Sequence, residues 1–192
     1  MLICGVMAVN AEGVQTASEV AKEEIARCET TGYPQAIVDL TLKALNAHDN
    51  NNYYQAYKRY KQAVEHPHFK YCTQEVQEQL YEQIANASYL LYEVENKKAD
   101  GKNHFPKAHR WYALEGLKYL KLANAGKDEN TELMRITFYV GLTVHSYSLS
   151  DRAATHRYAR ELESLINEYR HSNKPVWREA VSWGDRVLRI VR

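Results

Sequence analysis

Residues Tyr53–Pro67, YYQAYKRYKQAVEHP, decide how the rest of the chain is read. Tyr53, Ala56, Tyr60 and Ala63 follow at intervals of three, four and three, which places all four on one stripe of a 3.6-residue helix. Small Ala alternating with large Tyr lets a neighbouring helix approach closely and leaves no void. Pro67 then stops the helix. Moving outward, the pattern echoes at Phe105, Ala108 and Tyr112, and again at Ala154 and Tyr158. The aligned alanines, Ala56, Ala108 and Ala154, lie 52 and 46 residues apart. A degenerate repeat of this kind predicts a stack of helix pairs.

The punctuation agrees. Pro34, Pro67, Pro106 and Pro175 all fall where a helix should begin or end. Between them the apolar spacing predicts eight helices, at 16–30, 34–48, 52–66, 73–97, 105–124, 129–148, 151–171 and 175–191. No segment alternates as a strand does, so the expected class is all-α. HDNNN, residues 48–52, is a turn in which φ > 0 is cheap for Asn. The 73–97 helix carries two stripes, Val76, Leu80, Ile84, Ala87, Leu91, Val94 and Tyr81, Ala85, Ser88, Tyr92, which implies neighbours on both sides. In the 105–124 helix Trp111, Tyr112, Leu114, Leu117 and Leu120 are expected to pack with Ala108. Gly141 costs ~1 kcal/mol inside a helix, so a close crossing is expected there. The last helix is expected to bury Val176, Ala180, Trp183, Val187 and Ile190, and to leave Arg178, Ser182, Asp185, Arg189 and Arg192 in water.

A chain of 192 residues with a formal charge of +1 is one domain, and gives no electrostatic reason to expect nucleic acid or a membrane surface. Fifteen Tyr against three Phe is the unusual feature. Tyr joins a large apolar body to a hydroxyl that stays wet, which suits helix seams and binding surfaces alike. Residues 1–11, MLICGVMAVNA, read as the remnant of a signal peptide, with Val9 and Ala11 at the small-residue cleavage positions, or else as an ordinary N-terminus. The first reading makes 12–192 the helical domain and places it in a periplasm or outside the cell; the second allows the cytoplasm. The run is too short to span a bilayer. With export, Cys28 and Cys72 form an even pair and a disulfide is expected; in a reducing compartment they are small buried hydrophobes.

Catalytic signatures are absent from the sequence: there is no HExxH, GxSxG, P-loop or GxGxxG. Glu75, Glu78 and Glu82 read as a solvated helix face. His66, His68 and Cys72 lack the paired spacing of a metal site. Lys58, Arg59 and Lys61 interleave with Tyr57 and Tyr60, too little for a nucleic-acid patch. The expectation is a protein that is not an enzyme and carries no cofactor or metal.

Tyr53-x-x-Ala56-x-x-x-Tyr60-x-x-Ala63 closed by Pro67 is similar to the second helix of a tetratricopeptide repeat. Ala44 and Leu40 stand where that family has a small and a large residue in its first helix, and Asn51 stands at the turn glycine. The second unit would use Tyr81, Ile84 and Ala85 with Phe105, Ala108 and Tyr112; the third would use Val140 and Gly141 with Ala154 and Tyr158. These units of 46 to 52 residues exceed the family's 34. The resemblance implies a right-handed α-solenoid of antiparallel helix pairs that binds a protein or peptide. The alternative is a small-ligand or glycan-binding helical protein that uses exposed tyrosines for stacking.

In such a stack the first helix of each pair lines the groove. Counting from Ala44, Ala85 and Gly141 puts Thr41, Leu45 and His48, then Glu82, Asn86 and Tyr89, then Phe138, Leu142 and His145 on that face, with Arg135 beside them. The partner-binding groove is therefore expected at Glu82, Asn86, Tyr89, Arg135, Phe138 and His145. Asn86 would pair with a peptide backbone and Arg135 with a carboxylate.

Overall fold

The computed structural model describes residues 35–67, 69–98, 106–126 and 128–192. They form seven α-helices: α1 (Gln35–Asp49), α2 (Tyr53–Val64), α3 (Gln74–Lys98), α4 (Pro106–Leu122), α5 (Glu129–Ser148), α6 (Arg152–Tyr169) and α7 (Pro175–Val191), with a 3₁₀ turn at Phe69–Tyr71. The described residues contain no strand, so the all-α expectation holds. Each helix ends within two residues of its predicted bound. Residues 1–11 and the predicted helix 16–30 lie outside the described residues, as do Cys28, His68 and Phe105.

Local chemistry explains the starts. Asn52, Asp128 and Asp151 are N-caps whose side chains accept from the N–H groups of Gln55, Thr131 and Ala154. Thr73 Oγ1 accepts from the Val76 N–H at 3.4 Å at the start of α3. Pro175 opens α7, where its missing N–H costs nothing.

The ends are more telling. After α1 the Asn52 N–H bonds to the Ala47 carbonyl (2.8 Å) and the Asn51 N–H to that of His48 (2.8 Å). Asn51 stands at φ 57°. This is a Schellman turn with its left-handed residue at Asn51, where a tetratricopeptide repeat has glycine. After α5 the same turn recurs. Asp151 bonds to Ser146 (2.9 Å), Ser150 to Tyr147 (2.9 Å), and Ser150 has φ 57°. In both turns the next residue, Asn52 or Asp151, caps the following helix.

Each helix packs on its neighbours in the chain, and α7 packs on α5 as well as α6. The helices thus associate in neighbouring pairs. Ala56, Tyr60 and Ala63 are fully buried with Ala44, as the opening stripe requires. The main stripe of α3 (Leu80, Ile84, Ala87, Leu91) and its second stripe (Ala85, Ser88, Tyr92) are both buried, so α3 is enclosed on two sides. Phe138 of α5 reaches into this region. A Cβ added at Gly116 would lie 2.2 Å from Phe138 Cζ, and one at Gly141 would lie 2.5 Å from Tyr92 Oη. Both glycines therefore make room for a ring, and Gly141 marks the close crossing its place in the sequence predicts.

Two cores result. The larger joins α1 to α5 with the start of α6 (Ala154 and Tyr158) and is rich in Ala and Tyr; the smaller joins α5, α6 and α7 through Ile136, Val140, Leu162, Ile166, Trp177, Val187 and Leu188. The α7 expectation is corrected here. Its buried face is Trp177, Ala180, Val181, Gly184, Val187 and Leu188, while Ile190 is exposed. Gly184 sets the phase: a Cβ there would stand 3.0 Å from Ile166 Cγ2, so this is the side that meets α6. No described helix is long and apolar enough to cross a membrane.

Candidate functional site

The six residues expected to line a groove are brought to one region of α3 and α5, but most face inward. Phe138 is fully buried against Tyr89 and Tyr92, with ring centroids 6.0 and 6.3 Å away. Tyr89 and His145 are buried too, and His145 stacks on buried His109 at 4.7 Å. Arg135 is occupied: it pairs with Glu132 and donates to the Ala125 carbonyl at 2.8 Å, holding the α4–α5 turn. Glu82 is exposed and Asn86 half-buried. Burial, and secondly the Asp128 carboxylate, raise the Glu82 carboxyl above its usual range. Phe138, Tyr89 and His145 are thus packing residues rather than groove residues. The physical reason is that α3 is covered on both of its stripes, so a face counted from one small residue meets a neighbouring helix instead of solvent. Cys72 is buried; its expected bond to Cys28 involves a residue outside the described ones.

Arg135 belongs to a buried polar knot. Glu132 is 1 % exposed and its carboxylate meets Arg135 in the first turn of α5. Tyr169 of α6 stacks on Trp177 of α7 with ring centroids 3.9 Å apart. Burial, then Glu132, push the Tyr169 hydroxyl up to about 12. A charge buried this deeply needs a partner, and removing one member would leave the other uncompensated. The Glu132–Arg135 pair and the Tyr169–Trp177 stack thus join α5, α6 and α7.

The accessible chemistry lies on α2 and α4. Tyr54 (54 % exposed), Trp111 (43 %) and Leu114 (40 %) leave large apolar surface in water. Trp111 is held in place by edge-on contacts to Tyr57 at 5.5 Å and Tyr112 at 5.1 Å. Beneath it the Tyr57 hydroxyl donates to Glu115 Oε2 at 2.6 Å. Lys61 Nζ lies 3.4 Å from the same oxygen, and Lys118 Nζ lies 3.9 Å from Oε1. Lys61 also sits 5.9 Å from the Trp111 ring centre, within cation–π range. Burial first, then the bond to Glu115, raise the Tyr57 hydroxyl far above its ordinary value, so it remains a donor at any physiological pH. The result is an aromatic platform with a carboxylate at its base and two ammonium groups around it.

Sequence reasoning missed this face. Tyr57 is buried, and Trp111 and Leu114, expected in the seam, are exposed. The signal was present: His109, Ala113, Gly116 and Leu120 form the buried stripe of α4, and Trp111 falls off it. The small pair Ala113 and Gly116 would have located that stripe.

Among the described residues no group of three or more His, Cys, Asp or Glu is arranged to hold a metal ion. Comparison with family models, with curated proteins and with solved structures finds no match.

Proposed function

We propose that this chain is a short α-solenoid of tetratricopeptide-like helix pairs that binds a protein or peptide partner through the aromatic face of α2 and α4. The observation that carries the reading is Trp111, a large ring left nearly half exposed yet fixed by Tyr57, Tyr112 and the Glu115 network. Interfaces draw most of their energy from a few such aromatic anchors, and a ring already held in place loses little entropy on binding. Lys61 and Lys118 around Glu115 supply the polar rim that specific recognition uses. Repetition of the α1–α2 turn with its immediate cap after α5 supports the repeat reading, whereas the turn after α4, left-handed at Asn124, is not followed directly by a cap. Export to a periplasm or the cell exterior, with the cytoplasm as the alternative, belongs to this proposal and rests on residues 1–11; N-terminal sequencing of the native protein tests it.

The test is substitution on the face. Trp111→Ala and Tyr54→Ala are expected to weaken partner binding at least tenfold, the usual effect of losing a central aromatic. The melting temperature should stay within about 3 °C, since surface changes cost little. Binding that survives both changes places the interface elsewhere. A second reading, a glycan-binding protein, draws on the same ring beside a carboxylate, since a sugar ring stacks on Trp while its hydroxyls bond to Glu. A melting shift with oligosaccharides and none with peptides decides for it.

A further inference from the structure

The helices α6 and α7 leave between them an open cleft of about 480 Å³, and its walls are dominated by arginine: Arg170 at the C-cap of α6, Arg178 and Arg189 on α7, and Arg192 at its C-cap. Two of the four are neutralised. Arg170 makes two parallel bonds of 2.9 Å to the carboxylate of Asp185, and Arg192 pairs with Glu163. Arg178 and Arg189 are exposed and form no ion pair with a described residue. Four guanidinium groups against two carboxylates leave the cleft with two positive charges in excess, although the whole chain carries only +1. The charge is therefore concentrated here, in a protein otherwise balanced.

The placement follows from helix phase. Arg178, Ser182, Asp185, Arg189 and Arg192 step by four, three, four and three, so they form one stripe along α7. Gly184 brings α7 close to α6 on the adjoining side, and the stripe becomes the wall of a cleft rather than an open helix face. Val181 and Leu188 form its apolar floor. The two unpaired guanidinium groups are eleven residues apart on α7, about 16 Å along the helix axis at 1.5 Å per residue. Asp185, between them, already holds Arg170.

We propose that this cleft binds an extended acidic segment of a partner protein, with carboxylates about five residues apart held by Arg178 and Arg189. An extended chain advances about 3.3 Å per residue, so five residues cover the distance between the two groups. Guanidinium groups suit carboxylates because two parallel N–H groups meet two oxygens. The Ser182 hydroxyl, on the same stripe, can bond to the backbone between the acids. Asp185 and Glu163 select against a continuously charged chain: a nucleic acid would bring a phosphate to mid-cleft, against a carboxylate. This inference goes beyond the aromatic face, which lies on other helices and is addressed by other substitutions.

The experiment uses the full chain and a fluorescein-labelled decapeptide with two Asp residues separated by four neutral ones, read by polarisation at low salt. Saturable binding is expected. Arg178→Ala and Arg189→Ala should each weaken it about threefold, and together about tenfold, as for exposed charge pairs acting at separate points. Arg186→Ala, an exposed arginine outside the cleft, should leave it unchanged, as should Trp111→Ala. Circular dichroism should show all variants folded. A control peptide with its two Asp residues adjacent should bind at least threefold more weakly, and added salt should weaken both peptides. Equal binding of the two peptides, equal competition by inorganic phosphate, or tighter binding of a single-stranded oligonucleotide overturns the assignment. So does a dimer of the protein itself that is lost with Arg178→Ala, because the occupant is then a second copy. If peptide binding fails while Trp111→Ala still abolishes capture of a partner, only this inference falls.

Discussion

The α1–α2 pair and the α5–α6 pair are closed by the same turn and filled by different side chains. Both turns carry the same backbone bonds, a left-handed residue at φ 57°, and a cap immediately after it. Counted from its cap, Ala56 is the fourth residue of its helix; the fourth in α6 is Thr155, buried likewise, whereas Ala154 is the third. The echo that looks aligned in the sequence is one place out of register with the turn. Farther along, Ala63 and Leu162 occupy equivalent places and both are fully buried. The first pair closes with Ala and Tyr, the second with Ile136, Leu162 and Ile166, on which Trp177 of α7 packs. Turn chemistry thus sets the geometry of a pair, and the filling can vary so long as its volume suits the gap. Repetition of structure therefore outlasts repetition of sequence.

The sharpest difference between the two cores should appear in alkali. Burial raises the hydroxyls of Tyr57, Tyr60 and Tyr92 well beyond the ordinary range and that of Tyr119 up to about 12, all in the larger core. In the smaller core Tyr169, at about 12, is the counterpart. An unfolded Tyr ionises near pH 10, so stability is complete below that and falls as pH rises toward the folded values. Each of the two most enclosed, Tyr60 and Tyr92, removes up to about 1.4 kcal/mol per pH unit in that window, and the others remove less because water screens them. Titration followed by phenolate absorbance should show these tyrosines ionising together with loss of helix above about pH 10. Smooth, independent ionisation with the fold intact would mean that the rings are not enclosed.

Next in size is the ring that fills the middle of the molecule. Phe138→Ala should cost about 3–5 kcal/mol, since it empties a site enclosed by α3 and α4. Gly116→Ala alone should cost about 1–3 kcal/mol by overpacking against that ring. In the Phe138→Ala background the same change should cost almost nothing, because its methyl enters vacated space. A chemical-denaturation cycle measures this, and strict additivity would contradict the close approach.

The turns offer a matched pair of smaller effects. Asn52→Ala and Asp151→Ala should each destabilise by about 1 kcal/mol, the usual cost of losing a cap. Similar losses confirm that the two turns are equivalent; a loss at only one breaks the equivalence. Smaller still is the contrast between two tyrosines of α2. Tyr60 Oη is buried and has no hydrogen-bond partner among the described residues, so Tyr60→Phe should be neutral or stabilising. Tyr57→Phe gives up the 2.6 Å bond to Glu115 and should cost about 1 kcal/mol.

Much of the fold was legible because its signals are local. Proline at helix ends, Asn in the HDNNN turn and the Ala–Tyr stripe each act within a few residues, and the seven described helices follow them. The site was less legible because exposure depends on partners that no local pattern names. Trp111 looks like core until Gly116 is seen to meet Phe138, on the buried stripe that it shares with Ala113. Arg135 looks like a free cation until Glu132, three residues earlier, proves to be buried with it. The phase of α7 was misread for a similar reason: Gly184, which has no side chain to count as apolar, is what admits Ile166.

The most direct measurement is comparative capture from the native host, with wild type and the Tyr54→Ala/Trp111→Ala double variant handled in parallel and their melting temperatures matched. The account expects at least one protein retained by wild type and lost from the folded variant, and direct binding of that protein once purified. Retention of the same protein by the variant, or capture of none by either, would contradict binding through the aromatic face.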